Sequence, residues 1–390
     1  MFPEDRAKIN TTFLPGSNDP AVISLCSAIG KTITSSKLIA SGALQPDENT
    51  AVISAGSLSR LELLQEYING IPQTDYPCQS RVHTLNSYSN EDVSCYVKRE
   101  DELGFGISGS KIRKYRTLIP YLIHHDVEGV VVIGSAYSNH VLGLSQLLIE
   151  NQINTTYFLR GDPLRSKNGN SLLSALFMPK DKIRWFSKTD WKNVNAIAHS
   201  YAAKHPQKIF VLPEGGSCSA AFPGTLTLPL DICKNETEQN FIFDHIFIDS
   251  GTGLMASALI LGSNWLKKKA TIHVVLMAED ESAFKNKLNE YREFFNSFIS
   301  EKIEILENFK LYIPGLKKFG QTNQMLFQFI ADIAQTEGFL TDPIYSAKLF
   351  LEAKKIIAEK SLKGKILIIH CGGAITLTGF SNQLNSVLDA

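Results

Sequence analysis

GVVVIGSAYSNH, residues 129–140, is the stretch on which the reading of the fold turns. Its first half, Val130 to Gly134, is a continuous apolar run with no polar alternation, the pattern of a strand buried on both faces of a parallel sheet. Its second half changes period: Ser138 and Asn139 are helix-capping residues, and the amphipathic stretch Ser138 to Ile149 follows. Strand, loop and helix in that order make one unit of an α/β sheet.

The unit recurs on both sides. Strands are expected at Ser94–Lys98, Gly129–Ile133, Asn154–Leu159, Lys208–Leu212, His245–Asp249, Thr271–Leu276 and Lys365–Ile369. Helices are expected at Lys111–Ile123, Ser138–Ile149, Gly253–Gly262, Ser282–Ser297, Gln324–Thr336 and Ile344–Ile357. Residues 1 to about 80 are richer in Ser, Thr, Asn, Pro and Gly, with Ser57–Ile68 (SLSRLELLQEYI) as the one convincing helix, and read as an appendage. The chain has 390 residues, and a single core stops growing at roughly 250–300. Two lobes sharing a cleft are therefore expected.

Composition narrows the partners. Lys and Arg number 39 against 39 Asp and Glu, so no bulk field recruits nucleic acid or an anionic membrane. The apolar runs fall far short of the roughly 20 residues that span a bilayer. Met1–Asn10 carries charges at Glu4, Asp5, Arg6 and Lys8 with no apolar stretch behind them, which argues against a secretory signal and for the cytoplasm. The six cysteines include no CxxC pair, and the nine histidines show no HxxxH or HExxH spacing, so thiols are expected reduced and no metal is expected. A small molecule remains as the partner.

In parallel sheets ligands bind at the carboxyl ends of strands, so the strand-to-helix loops are where chemistry is sought. GFGISGSKIRK (104–114) delivers Lys111 at a helix start, where the dipole favours a neutral, nucleophilic amine; a solvated lysine opening a helix reads the same way. In GSAYSNH (134–140), Ser138 and Asn139 suit a carboxylate or a cofactor oxygen, and equally an ordinary N-cap. DSGTG (249–253) combines glycines with a helix start, as a phosphate cradle or a tight βα turn does. LTDPIYS (340–346) aims Tyr345 from a loop stiffened by Pro343, and in HCGG (370–373) two glycines admit close backbone approach.

Taken in order, KRED (98–101), SGSKIRK (108–114), GSAYSNH (134–140), PEGGS (213–217), SGTG (250–253), LTDPIYSAK (340–348) and HCGG (370–373) closely resemble the 1-aminocyclopropane-1-carboxylate deaminase and D-cysteine desulfhydrase family of pyridoxal-phosphate (PLP) enzymes, over about residues 82–380. The resemblance implies the tryptophan-synthase-β-like α/β fold, PLP fold type II, with two three-layer α/β domains and a cleft between them. Mapped here, it implies an N-terminal extension 1–81, a large PLP-binding domain from 82–114 and 219–390, and a small domain 115–218. It implies that Lys111 holds PLP as a Schiff base, that Asn139 bonds the ring oxygen, and that Ser250, Gly251, Thr252 and Gly253 hold the phosphate. Ser346 would stand beside the pyridine nitrogen. Ser138, Asn139, His140 and Tyr345 would face the substrate, with Lys111, Ser138 and Tyr345 catalytic. A homodimer is implied as well.

Departures from the family pattern shape the expected reaction. Ser110 replaces the usual asparagine before the lysine, Ser135 a glycine, and Leu254-Met255 the usual threonines of the phosphate loop. Leu316 stands where a second substrate-facing tyrosine is expected, and Ser346 where the deaminases carry a glutamate. Opening a cyclopropane ring needs acid–base groups on both sides, so these losses favour β-elimination from a D-cysteine-like amino acid to pyruvate, ammonia and sulfide. Deamination of 1-aminocyclopropane-1-carboxylate to 2-oxobutanoate is the alternative; a relative that binds PLP or an amino acid without turnover is the rival of another class.

Overall fold

The computed structural model describes residues 58–164, 167–305 and 308–389. Among the described residues, ten strands form two sheets. The larger has the order β1-β2-β10-β7-β8-β9, built from Val82–Thr84, Val93–Lys98, Gly364–Ile369, His245–Ser250, Thr271–Leu276 and Phe309–Tyr312, and only β1 runs antiparallel to its neighbour. The smaller has the order β5-β4-β3-β6, from Ile183–Phe186, Thr155–Arg160, Gly129–Ser135 and Ile209–Leu212, and is parallel throughout.

Alternate residues of each central strand feed opposite faces, and helices cover both. In β7, Ile246 and Ile248 join the core under the helices Thr227–Gln239, Leu254–Trp265 and Glu281–Ile299, while Phe247 packs with Leu349, Phe350 and Ala353 of the helix Ser346–Glu359. In β3, Val130 and Val132 face the helices Ile112–His124 and Asn139–Glu150, while Val131 and Ile133 pack on Val194 and Ala198. Burial on both faces leaves no strand position for a polar residue, which is why 130–134 reads as an unbroken apolar run.

All seven expected strands are present. The three that sequence reading missed, β1, β5 and β9, are edge strands with no fully buried residue. The helices Gly169–Phe177, Val194–Lys204, Thr227–Gln239 and Ser381–Leu388 were also not anticipated. Residues 1–57 of the expected appendage lie outside the described residues; its helix, Arg60–Asn69, packs on the rest of the chain, with Leu64 and Ile68 fully buried and Arg60 stacked on Trp265, whose indole donates to the Arg60 carbonyl at 2.9 Å. The helix Ile112–His124 is continuous across 114 and 115, where the expected small domain begins. No helix of the described residues is long and apolar enough to cross a membrane.

Candidate active site

Lys111 ends a single turn of 3-10 helix, Gly109–Lys111, and runs straight into the helix Ile112–His124. That turn rests on the loop after β10. Gly109 has φ +53°, and a Cβ there would lie 2.3 Å from the Cys371 carbonyl oxygen, so no other residue fits. The Ser110 N–H donates to the same oxygen at 3.1 Å. The helix behind Lys111 is bolted down by a buried ionic cluster. Arg113 donates to both Glu100 oxygens at 2.6 Å and to Asp231 Oδ2 at 2.7 Å, while Lys98 donates to the same Asp231 oxygen at 2.5 Å. Four charges balance in pairs, and Ser80, Asn235 and Thr227 take up hydrogen bonds around them.

The Lys111 amine stands 5.9 Å from the centre of the Tyr345 ring, with no hydrogen bond or ion pair among the described residues. One turn along, Lys114 is buried and donates to the Gly215 carbonyl at 3.0 Å. Burial, and then the nearby Lys111 charge, bring its amine down to about 7. Asp249, at the end of β7, also senses Lys111. Burial pushes its carboxyl up against the opposing pulls of the Cys371 thiol and Lys111, and Oδ1 has no hydrogen-bond partner among the described residues.

Asn139 opens the helix Asn139–Glu150. It is buried, and its Oδ1 accepts from Asn170 Nδ2 at 2.6 Å and from Thr376 Oγ1 at 3.1 Å. Across the bare Cα of Gly373 (φ +99°) it faces Asp342: a Cβ there would lie 3.1 Å from Asn139 Nδ2 and 3.0 Å from Asp342 Oδ2. Asp342 accepts the N–H groups of Ile344, Tyr345 and Ser346 at 2.8–2.9 Å and the Ser346 hydroxyl at 2.9 Å. Ser346 in turn accepts the Asp342 N–H at 2.7 Å. Ser138 Oγ caps its helix, accepting from the N–H groups of His140 and Val141. His140 points elsewhere, with Nδ1 2.9 Å from the Tyr115 hydroxyl and Nε2 buried without a partner among the described residues. Burial, with the Lys114 and Lys111 charges, holds it well below the usual imidazole range, so the ring is neutral.

Ser250–Gly253 leads from β7 into the buried helix Leu254–Trp265, with Gly253 at φ +87° and no side-chain cap. The N–H groups of Gly251, Thr252 and Gly253 have no acceptor among the described residues. Thr252 Oγ1 accepts from Ser217 at 2.6 Å, and Ser250 Oγ donates to Glu279 Oε1 at 3.1 Å. Gly251 lies under Tyr345, whose Cε1 would be 3.2 Å from a Cβ placed there.

Tyr345 is thus the meeting point: the Lys111 amine, Gly251 and the Phe319 ring, 5.9 Å away between ring centres, all surround it. Burial first, then the charges of Asp342, Asp249 and Glu214, push its phenol well up. Leu316 packs instead with Leu326, Phe327 and Ile330. The donor set fits PLP: an unpaired lysine amine for its aldehyde, and three free backbone N–H groups at a helix start for its phosphate. Sequence reading missed Lys114, Asp342, Asn170, Thr376, Phe319 and Glu279. Lys114 had a signal, standing three residues after Lys111 on one helix face; the others become neighbours only through tertiary contact.

A family profile described as pyridoxal-phosphate dependent enzyme matches residues 74–372. The bifunctional D-cysteine desulfhydrase/1-aminocyclopropane-1-carboxylate deaminase, mitochondrial, of Arabidopsis thaliana is 25% identical over 307 residues, 75% of this chain and 75% of that protein. The D-cysteine desulfhydrase of Serratia proteamaculans is 25% identical over 317 residues, 78% of this chain and 93% of its own. A crystal structure described as an ACC deaminase homologue superposes with a TM-score of 0.74 at 24% identity, covering 83% of this chain and 98% of that one.

Proposed function

The chain belongs to the pyridoxal-phosphate dependent enzyme family, and we propose that within it the chain is a lyase that eliminates the β-substituent of a small D-cysteine-like amino acid, giving pyruvate, ammonia and sulfide. Its fold is PLP fold type II and its cofactor is PLP. The observation that carries the proposal is the unpaired Lys111 amine over the Tyr345 ring, with the free N–H groups of Gly251–Gly253 beneath.

In this reading Lys111 would hold the cofactor through its aldehyde, Asn139 would face the ring oxygen, Ser346 would stand beside the ring nitrogen and Ser250–Gly253 would hold the phosphate. When bound, PLP supplies an electron sink for charge left at the substrate Cα. Once the substrate's own amino group has displaced it from the aldehyde, the freed Lys111 amine would take the Cα proton. The Ser138 hydroxyl, whose oxygen caps its own helix, donates its proton in a hydrogen bond to the substrate carboxylate beside Asn139 and His140. Tyr345, kept protonated by its surroundings, donates its hydroxyl proton to the departing sulfur. Elimination is favoured over ring opening because Leu316 is packed in an apolar cluster and the Ser346 hydroxyl is committed to Asp342, so neither supplies a second acid–base group. The reading extends to a cytoplasmic homodimer with an extension (1–81), a large domain (82–114 with 219–390) and a small domain (115–218).

The test is the visible spectrum with PLP, before and after borohydride, followed by product analysis. A trappable band in the wild type that Lys111→Ala lacks is expected, with D-cysteine turnover falling about a thousandfold or more in that variant. No band at saturating PLP overturns the proposal; racemised or dehydrated products alone overturn the substrate. A second reading, deamination of 1-aminocyclopropane-1-carboxylate, draws on the bifunctional Arabidopsis relative, and 2-oxobutanoate as product would establish it.

A further inference from the structure

Glu279 follows the end of β8, and β8 lies beside β7, so the loop that carries it sits against Ser250–Gly253. The two strand ends are tied together by the Met277 N–H, which donates to the Ser250 carbonyl at 2.8 Å. Glu279 turns inward, with only 6% of its side chain exposed. One oxygen accepts the Ser250 hydroxyl at 3.1 Å and the other the Lys287 amine at 2.7 Å. A Cβ on Gly253 would lie 3.3 Å from both Glu279 Oε1 and Lys287 Cδ. A carboxylate and a lysine thus line the rim of a loop rich in N–H donors, where Leu254 and Met255 add no hydroxyl.

A phosphate monoester arrives with roughly −1.5 to −2 charge. A carboxylate already hydrogen-bonded to a hydroxyl of its cradle repels it and competes for that hydroxyl. Lys287, about one-third exposed and hydrogen-bonded among the described residues only to Glu279, offsets that charge and brings a cation to the rim that an incoming phosphate would meet.

Resting on the reading of Ser250–Gly253 as the phosphate loop, we propose that Glu279 and Lys287 are an opposed pair that sets how tightly this chain holds its cofactor: Glu279 withholds the Ser250 hydroxyl and weakens phosphate binding, and Lys287 strengthens it.

The test titrates cofactor-free protein with PLP and, separately, with pyridoxal, which has the same ring and aldehyde but no phosphate. Glu279→Gln is expected to bind PLP about tenfold more tightly, and Lys287→Met about tenfold more weakly, the order of one charge-assisted contact. Affinity for pyridoxal stays unchanged in both, and the double variant returns towards wild type. Inorganic phosphate should compete with PLP more effectively in Glu279→Gln than in the parent. Lys287 is on the accessible side of its helix, so Lys287→Met carries the test by itself should Glu279→Gln not fold. A wild type that prefers PLP to pyridoxal, with variants that leave that preference unmoved or shift both ligands alike, overturns the pair's role. A wild type that binds PLP and pyridoxal equally overturns the phosphate-loop reading itself.

Discussion

Two helices of twelve residues each, Asn139–Glu150 and Leu254–Trp265, start at the carboxyl ends of parallel strands, yet their first turns are arranged in opposite ways. The first is capped by Ser138, and the side-chain oxygen of Asn139, Oδ1, is already taken by Asn170 and Thr376. The second begins at Gly253 with no side-chain cap, and the N–H groups before it find no acceptor among the described residues. Every helix start leaves orphan donors that a side chain, water or a ligand must satisfy. One start is completed by the protein and serves to position side chains; the other stays open to an anion. In the proposed reading, the lysine end of the site, from the turn Gly109–Lys111 to the Asn139 helix start, is completed by the protein itself, and the phosphate end at Ser250–Gly253 would be completed by its ligand.

The largest effect that sharpens this contrast comes from beneath the lysine end. Glu100→Ala leaves Arg113 and Lys98 facing Asp231 alone in a buried site, and should cost about 3–5 kcal/mol of unfolding free energy. The dependence on pH has a definite sign. Burial pushes Glu100 up, but Arg113, Lys98 and Ser80 outweigh it and the carboxyl ends below its ordinary 4.5. Its contribution is therefore complete above the ordinary carboxylate range and is lost as pH falls through the folded-state value. Urea unfolding across acidic pH should show that slope in the wild type and a shallower one in Glu100→Ala.

Gly373→Ala comes next. It forces a side chain into a left-handed backbone between Asn139 and Asp342, at a cost of about 1–3 kcal/mol in thermal unfolding. An unchanged melting temperature would mean that the lysine end is looser than described. The smallest effect tests the two helix starts directly. Ser138→Ala should cost about 1 kcal/mol whether or not PLP is present. In hydrogen exchange, the amides of His140 and Val141 should be protected in both states, and those of Gly251–Gly253 only with PLP. Protection of the latter without cofactor would dissolve the comparison.

What could be read from the sequence follows from burial. The seven anticipated strands are apolar enough to read without context, and their ends fall within two residues of the observed ones. FKLY and IRWF escaped because edge strands keep a polar, exposed position that breaks the run. The glycine-bearing loops were legible as chemistry because their residue types and order are unusual. The commitments of individual hydroxyls were not. Nothing in DPIYS says that the Ser346 hydroxyl turns back on Asp342, and nothing in LMAED says that Glu279 reaches Ser250. Such contacts depend on which loops the sheet order makes neighbours.

That sheet order has a consequence for synthesis. β10 is made after the other nine strands of the described residues, yet it lies between β2 and β7. All four strands of the smaller sheet have been made by Leu212, so that sheet can close early on the nascent chain. β2, by contrast, waits with only the short β1 beside it through the making of some 265 further residues, from Lys98 to Gly364, and the turn before Lys111 lacks the Cys371 carbonyl that Ser110 bonds. A chain halted shortly before residue 364 would carry a finished small sheet and a lysine with nowhere to stand, so the capacity to bind cofactor waits until β10 and the loop after it have been made.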